Sequence, residues 1–506
     1  MQSEGFMSFV KTIMEWIASI FVVAIILLIL TIIVFYVIDS TQKKHAIRHN
    51  FPVIGRFRYW FEHLGEFFRQ YFFSMDREEL PFNRAERSWV YRAAKDISRT
   101  QAFGSTRNLN QVGTVLFMND QFPTLEEDAV EASPVMIGPY CRTPYLARSF
   151  FNISGMSYGA LSKVAVEALS RGAARAGCWI NTGEGGLSPY HLAGGGDVVF
   201  QIGTAKYGAR DTEGKLSDEK LKQVAEHSQI KMIELKLAQG AKPGKGGILP
   251  AEKVTAEIAR IRGIPEGKAS VSPNGHPEIH NVSDLLDMIN HIREVTGKPV
   301  GFKTVLGGEH FLFELCAEIH KRGLEAAPDF ITIDGADGGS GAAPQPLFDY
   351  VGLTLKESLP MTIDILQQQG LRDRIKVIAS GKMINPSAVA WALAMGADFA
   401  LSARGFMFAL GCIQAMQCNK NTCPTGVTTH DPDLQKGLDI TDKSVRVYHY
   451  HKNMVKAVGM IAHSCGVKEP RRLKRHHMRV VTETGLSTPM DKVHPYQENK
   501  IPTKNL

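Results

Sequence analysis

Short β-forming runs alternate with helical patterns along most of the chain beyond residue 150. Helical patterns separate many of these runs, for example at 161–176, 283–296 and 386–396. Strands joined by helices pair in parallel, and eight such units close into a barrel. We therefore predict an α/β fold, a (β/α)8 TIM barrel, with an open doubly wound sheet as the alternative. The predicted strands are 150–154, 178–182, 231–235, 268–272, 299–305, 329–335, 375–380 and 398–402.

An uncharged, mostly apolar stretch from Trp16 to Ile38 is a second feature that limits how the chain can fold. It is long enough to cross a bilayer, which needs roughly 20 apolar residues in a helix. Lys11 is the one basic residue before this stretch, whereas Lys43, Lys44 and further basic residues come closely after it. Positive flanks stay on the cytoplasmic side. We therefore expect a single-pass transmembrane helix in the inner (cytoplasmic) membrane, with the catalytic domain in the cytoplasm.

Two further segments are rich in basic residues. The segment 56–73 carries an aromatic stripe at helical spacing, and it predicts a helix that lies in the lipid headgroup region or packs on the main domain. We interpret the run 468–479 as a solvated face or a contact with anionic lipid, with a docking patch for an acidic electron-transfer protein as the alternative. The formal net charge is +7, but no aromatic–basic module indicates a nucleic-acid partner.

Three of the seven cysteines lie close together at Cys412, Cys418 and Cys423. An odd number of cysteines argues for a reducing compartment. Several thiolates from one short segment suit an iron–sulfur cluster, whereas a zinc site usually shows closely spaced pairs and a fourth ligand. Three ligands indicate a three-iron cluster, or a four-iron cluster completed elsewhere, for which Cys465 is a candidate. Small buried apolar residues are the alternative.

The carboxyl ends of the predicted strands carry the other notable residues, at the face where such barrels do their chemistry. Lys303 ends an apolar strand, where a fixed cation would stabilise the negative charge of a reduced flavin; a lysine exposed to solvent is the alternative. The turns at 380–382 and 402–405 are the positions at which these barrels hold a phosphate. Residues suited to a carboxylate-bearing substrate lie in glycine-rich loops: Glu184, Lys236, Gln239, Lys242 and Lys245.

Four motifs resemble those of a known protein family and occur in the same order as in that family: NTGEGG (181–186), KLAQGAKPGKGG (236–247), DGADGGSGAAP (334–344) and GCIQAMQCNKNTCPTGV (411–427). Together they resemble the synthase domain of glutamate synthases, and most of all the stand-alone, membrane-anchored FMN-binding glutamate synthase family proteins. The resemblance implies an oxidoreductase with FMN and a 3Fe-4S cluster (or 4Fe-4S). It also implies that a ferredoxin-like or other donor supplies electrons and that 2-oxoglutarate and ammonia, through 2-iminoglutarate, become glutamate.

The resemblance also assigns roles residue by residue. The implied cluster ligands are Cys412, Cys418 and Cys423. The implied catalytic residues are Glu184, Lys236, Gln239 and Lys303, with Lys236 and Lys242 binding substrate. The implied FMN-binding residues are Ser154, Gly155, Met156, Ser157, Asn181, Lys303, Gly338, Gly339, Ser340, Gly381, Arg404 and Gly405.

The chain departs from the glutamate synthase pattern in two loops. Leu187 stands where an acidic residue often comes after NTGEGG, and Lys245 replaces a carboxylate. A glutaminase domain would need an N-terminal cysteine, whereas the first cysteine here is Cys141. Ammonia is therefore free, delivered by a partner, or not used. A membrane-anchored electron-transfer subunit without its own substrate, and a barrel that lost redox chemistry, are the alternative functions.

The expected domain boundaries derive from these segments. Residues 1–48 are the transmembrane anchor and its flank, and 49–129 are a helical, aromatic linker. The synthase-like barrel takes up 130–465, and 466–506 form a basic C-terminal tail.

Overall fold

The computed structural model describes residues 2–498 of the chain, so that Met1 and the end of the expected tail, 499–506, lie outside the described residues. The chain divides into two compact units, Met1–Ala85 and Glu86–Leu506. The division falls inside the segment expected to be a linker.

The first unit is helical. A helix spans Gln2–Thr41, and after it come short and longer helices at Ala46–Asn50 and Gly55–Phe68 and a π-helical turn at Arg69–Phe73. The predicted helical segment 56–73 is therefore confirmed. From Gly5 to Thr41 the first helix has 37 residues; its most apolar stretch of 18 residues has a mean hydropathy of 3.4, and none of that stretch is buried. By length and composition it could cross a membrane.

Eight parallel strands of the second unit form a closed barrel, so that the predicted fold class is confirmed. The chain order of the strands is also their order around the barrel, and the eighth strand pairs with the first. The barrel strands, first to eighth, are Phe151–Ile153, Ile180–Asn181, Val198–Ile202, Ile230–Lys236, Val300–Thr304, Phe330–Asp334, Lys376–Ser380 and Phe399–Ser402.

One predicted strand is wrong, and one barrel strand was missed. The predicted strand at 268–272 is only Ser270–Val271, which pairs antiparallel with Ile248–Leu249 outside the barrel. Its exposed Val271 shows why, because a barrel strand is covered on both faces. The missed third strand, Val198–Ile202, is buried at every position, as its apolar sequence requires. The loop at 236–247 therefore comes after the fourth strand and not the third.

Helices cover the barrel, and capping side chains and glycines fix where they begin and end. Ser162 and Asn281 accept hydrogen bonds from the backbone N–H groups of the first turns of their helices. Gly177 and Gly297 end the same helices in the left-handed conformation. The helix Arg84–Ala94 includes the boundary between the two units. The helices after it are Lys163–Ala176, Pro189–Leu192, Asp218–Glu226, Ala256–Arg262, Val282–Thr296, His310–Arg322, Gln345–Tyr350, Leu355–Gln368, Pro386–Met395, Arg404–Leu410, Pro432–Gln435, Ile440–Ser464 and Met490–Val493.

The apolar core fills the amino-terminal half of the barrel. A hairpin of Val135–Ile137 and Tyr145–Ala147 packs against Trp179, Phe330 and Phe399 near the starts of their strands. Polar residues are thus left for the carboxyl ends of the strands, which is where barrel enzymes carry their sites.

The described part of the expected tail, 466–498, is folded within the second unit. Met478–Val481 pairs with Val115–Phe117 and Ser487–Pro489 in a three-stranded sheet. Within the basic run, the Arg471 guanidinium lies 4.9 Å from the centre of the Phe399 ring, and Arg475 is buried and pairs with Asp364 at 2.5 Å. The interpretation of this run as a solvated face is therefore wrong for these two arginines, which hold the segment to the barrel.

Candidate active site

A largely buried carboxylate, Glu184, lies at the centre of the charged residues at the barrel mouth. It stands on a 3-10 turn, Gly183–Gly185, after the second strand. Lys236, the last residue of the fourth strand, donates from Nζ to Glu184 Oε1 at 2.9 Å and to Gln239 Oε1 at 3.0 Å. Lys242 Nζ lies 4.0 Å from the same Glu184 oxygen. Four of the sequence-predicted residues are thus brought together in one network.

Glycines make room for the Glu184 side chain. A side-chain carbon added at Gly247 would lie 2.7 Å from Glu184 Oε1, and one added at Gly203 would lie 2.6 Å from Glu184 Cβ. Neither distance is compatible with normal packing. The glycine-rich character of these loops is therefore explained by their close approach to the carboxylate.

Electrostatics keep Glu184 ionised. Burial alone would raise the pKa of Glu184, but the ammonium groups of Lys236 and Lys242 outweigh burial and lower this pKa to about 2. Burial, and after it the charge of Lys236, lowers the pKa of Lys242 to about 8 against the opposing pull of Glu184. One carboxylate therefore faces two lysines, and the network carries a surplus of positive charge.

Lys303 belongs to a neighbouring pair. It is buried near the end of the fifth strand, and its Nζ lies 3.3 Å from Asp334 Oδ2 at the end of the sixth. Asp334 also accepts hydrogen bonds from Ser380 Oγ at 2.7 Å and from the Gly240 N–H at 2.9 Å. Lys303 is therefore held by a balanced, hydrogen-bonded carboxylate and does not point into solvent.

A second buried carboxylate, Glu234, lies within the fourth strand and was not predicted as a site residue. Its Oε1 accepts hydrogen bonds from Asn181 at 2.9 Å and Gln201 at 2.5 Å, and its Oε2 accepts one from Thr332 at 2.7 Å. All three donors are neutral. The signal in the sequence was a polar residue within or at the end of each of several apolar strands, since a polar group inside a barrel needs a hydrogen-bond partner.

The loop after the first strand packs on the Glu184 turn. Ser154 is buried and its N–H bonds to the Ser402 carbonyl at 3.0 Å, next to the eighth strand. Gly155 lies against the Asn181 side chain, and the Met156 N–H bonds to the Asn181 carbonyl at 3.3 Å. Ser157 contacts the turn 183–185. These residues therefore line one continuous wall of the mouth.

The residues predicted to hold a phosphate lie directly after the sixth, seventh and eighth strands. Gly338 and Gly381 both approach Gly335, and Gly339 approaches the Arg404 guanidinium so closely that an added side-chain carbon would lie 2.6 Å from its Cζ. Gln239 Nε2 donates to the Gly339 carbonyl at 2.7 Å, which connects this region to the Glu184 network. Two further predicted residues differ in exposure: Gly405 is buried, whereas Ser340 is exposed.

The three clustered cysteines are near one another. Burial, and then the nearby Cys418 and Cys423 thiols, raise the pKa of Cys412 to about 12. The Gln414 N–H donates to Cys412 Sγ at 3.4 Å, and Cys423 Sγ contacts Thr425 Oγ1 at 3.4 Å. Within residues 2–498, no three His, Cys, Asp or Glu side chains are placed to hold a single metal ion. The thiolates of an iron–sulfur cluster bind different iron atoms, so they lie farther apart than the ligands of a single metal ion.

Lys253 connects the cysteine loop to the mouth and was missed in the sequence. It is buried, and its Nζ donates to the Ala160 carbonyl at 2.6 Å and to the Cys418 carbonyl at 3.2 Å. One ammonium group thus holds the loop after the first strand and the cysteine loop together. No motif marked it, because its partners are backbone carbonyls that lie far from it in the chain.

Comparison with known proteins identifies the family. A family model described as the conserved region in glutamate synthase matches residues 92–468. The glutamate synthase large subunit-like protein YerD of Bacillus subtilis is 40% identical over 489 residues, covering 89% of this chain and 92% of the relative. The archaeal glutamate synthase (NADPH) of Methanocaldococcus jannaschii is 32% identical, covering 65% of this chain and 61% of the relative. The chain thus spans less than two thirds of that archaeal protein.

Solved structures of similar shape are flavoenzymes, but only distantly alike. Mandelate oxidase with (S)-4-hydroxymandelic acid gives a TM-score of 0.47 at 17% identity, covering 78% of this chain and 99% of that chain. Flavocytochrome b2 with benzoylformate gives 0.46 at 14% identity, covering 78% and 79%. Both scores are too low for the likeness to bear on function. The family match and the YerD relative decide the assignment: the chain belongs to the glutamate synthase family of oxidoreductases.

Proposed function

We propose that this protein reduces a dicarboxylic keto acid in the presence of ammonia to the corresponding amino acid, with 2-oxoglutarate and glutamate as the favoured pair. The balanced reaction consumes one keto acid, one ammonia, two electrons and two protons, and it releases one amino acid and one water. The electrons come from an external donor, a ferredoxin-like protein or another reductant.

The single observation that carries this proposal is the surplus of positive charge around Glu184. One carboxylate holds Lys236 and Lys242 in fixed positions, so a further anionic group is needed to balance the network. A substrate carboxylate meets that need, since charge-assisted hydrogen bonds to buried lysines are strong. Lys236 Nζ is fixed between Glu184 and Gln239, and it would then donate to the keto oxygen of the substrate.

The residues of the mouth fit FMN. Gly339 lets the Arg404 guanidinium pack against the backbone of the loop 334–344, where this cation suits a phosphate, and the buried Lys303 suits the ring edge that becomes anionic on reduction. Ser154, Gly155, Met156, Ser157 and Asn181 would face the ring from the opposite wall. When bound, FMN would supply hydride to the substrate.

The cysteine loop fits a 3Fe-4S cluster bound by Cys412, Cys418 and Cys423, which would supply electrons singly. Its support is the proximity of the three thiols and the N–H group directed at Cys412 Sγ. Lys253 would keep that loop against the loop after the first barrel strand. A 4Fe-4S cluster would need one ligand more than this loop offers.

We further propose that residues 5–41 anchor the protein in the inner membrane as a single span. The support is an unburied apolar helix with basic residues directly after it, and such residues favour the cytoplasmic side of the membrane. Within the first unit, Asp39 near the end of this helix pairs with Arg56 at 2.8 Å. The catalytic domain would then lie in the cytoplasm.

The test is turnover by the purified full-length protein in detergent under anaerobic conditions. Flavin and iron are quantified first, and the protein is then supplied with 2-oxoglutarate, ammonium and either reduced ferredoxin or NADPH. Glutamate formation that requires both substrates supports the proposal. Loaded, reducible protein that forms no amino acid from any of several keto acids overturns it and favours an electron-transfer subunit without its own substrate.

A further inference from the structure

A second basic pocket, of about 450 Å3, lies outside the Glu184 network. Its volume falls in the range of small-molecule sites. Part of its wall is Leu187, three residues after Glu184, and Gly208, which packs on Gly186 of the same loop. The helices Asp218–Glu226 and Ala256–Arg262 supply most of the rest. The pocket thus borders the loop that carries Glu184, but it is built from elements that the active site does not use.

Cations dominate the lining of this pocket. Arg210, Lys220, Arg260 and Arg262 line it, whereas Asp211 is the one carboxylate in the lining. Asp211 Oδ1 is already engaged, because it accepts hydrogen bonds from the N–H groups of residues 213 and 215 at 2.9 Å each. Within the described part of the chain, none of the four cations forms an ion pair with a carboxylate. Lys220 and Arg210 bond instead to the carbonyls of Arg210 and Gly263, at 2.6 and 2.7 Å.

Arg262 makes the imbalance severe, because it is only 5% exposed. Among the described residues, its Nε has no hydrogen-bond partner, and its side chain makes one hydrogen bond, a long one of 3.4 Å to the Tyr158 carbonyl. The guanidinium lies 5.2 Å from the centre of the Tyr207 ring. Glu184 is the carboxylate whose charge acts on Arg262, but Lys236 and Lys242 already share that carboxylate. A buried cation without an anion of its own is costly, so a further anion would balance it.

We propose that this pocket binds a small anion that carries at least two negative charges, of the phosphate or dicarboxylate class, held by Lys220, Arg260 and Arg262. Guanidinium groups match both chemistries, since each presents a planar pair of donors to two oxygens. This site would be separate from the substrate site, and it does not depend on the proposed function.

The test measures anion binding directly by isothermal titration calorimetry on the full-length holoprotein in detergent. The probes are inorganic phosphate in one arm and succinate in the other, which distinguishes the two ligand classes. The double variant Lys220→Gln with Arg260→Gln removes two exposed cations from the pocket. The matched control is Lys222→Gln, an exposed lysine on the same helix as Lys220 that does not line the pocket.

We expect at least one probe to bind the wild-type protein and the Lys222→Gln control equally, and to bind the double variant about tenfold or more weakly, as the loss of charge-assisted hydrogen bonds predicts. Equal thermal unfolding midpoints will show that all three proteins are folded. Absence of binding by both probes at about 10 mM, a concentration that would fill about 90% of sites with a Kd of about 1 mM, or equal binding by the double variant, would overturn the proposal.

Discussion

Two glutamates of the same barrel, Glu234 fully buried and Glu184 largely buried, are held in opposite ways. Glu234 accepts hydrogen bonds from three neutral side chains, Asn181, Gln201 and Thr332, and it is 1% exposed. Glu184 faces two lysines, and its side chain is 16% exposed. The first carboxylate is a closed network whose acceptors are used within the protein. Glu184 does not balance both lysines, so unpaired positive charge faces the barrel mouth. This difference distinguishes a structural centre from a binding centre.

The largest expected effect is on stability, at the closed centre. Replacing Glu234→Leu leaves the side-chain donors of Asn181, Gln201 and Thr332 without their acceptors, so we expect the free energy of unfolding to fall by about 3 kcal/mol or more. Chemical denaturation measures this loss. Glu234→Gln keeps one acceptor oxygen and should lose less. A Leu variant as stable as the wild type would show that the network does not hold the barrel together.

The next effect is on activity, at the open centre. Lys236→Met removes the ammonium group between Glu184 and Gln239 but leaves Lys242 beside Glu184. We expect kcat/KM for the keto acid to fall about 100-fold, which corresponds to about 2.7 kcal/mol of transition-state binding. The free energy of unfolding should change far less than in Glu234→Leu. If Lys236→Met instead loses stability and keeps its activity, as expected of a structural residue, then the distinction between the two glutamate centres is wrong.

A pH dependence is expected from the lowered pKa of Lys242, which is about 8. The lysine is charged below this pH and neutral above it, and only the charged form attracts a substrate carboxylate. We therefore expect KM for the keto acid to rise as the pH increases through about 8, with a bound substrate shifting the rise upward. Lys242→Arg should remove this rise, because an arginine keeps its charge. Steady-state kinetics between neutral and alkaline pH measure both proteins.

The smallest expected effect concerns Lys253. Lys253→Met leaves the Ala160 and Cys418 carbonyls without their shared donor, and we expect a loss of about 1 to 2 kcal/mol in the free energy of unfolding. The cysteine loop should become more accessible, so that Cys418 reacts faster with a thiol reagent in metal-free protein. Lys222→Met, at an exposed lysine of the second unit, is the control. Equal thiol reactivity in both variants would show that Lys253 does not fix the loop.

The sequence predicted the features that depend on local pattern. Strands such as Phe330–Asp334 and Phe399–Ser402 are apolar runs ended by polar residues, and the cysteine triplet is visible from spacing alone. Val198–Ile202 was missed, because only a glycine-rich segment and a short helix separate it from the second strand. Nothing in one strand shows which partner it will pair with once the barrel closes.

The partners within the site were equally hidden. Glu234 is balanced by donors from three other strands, and Lys253 by two carbonyls distant in sequence. Arg471 and Arg475 look like part of a solvated basic run, but one lies over Phe399 and the other pairs with Asp364. In each case burial and pairing come from tertiary contacts, which composition and periodicity do not contain.

The most direct test of the central claim is a single-turnover measurement on fully loaded, anaerobically reduced protein. Mixing with 2-oxoglutarate and ammonium should reoxidise the flavin and yield one glutamate for each two electrons released, and Lys236→Met should slow both together. If the wild-type flavin stays reduced, or is reoxidised without amino-acid formation, then the open charge around Glu184 does not serve a keto-acid substrate.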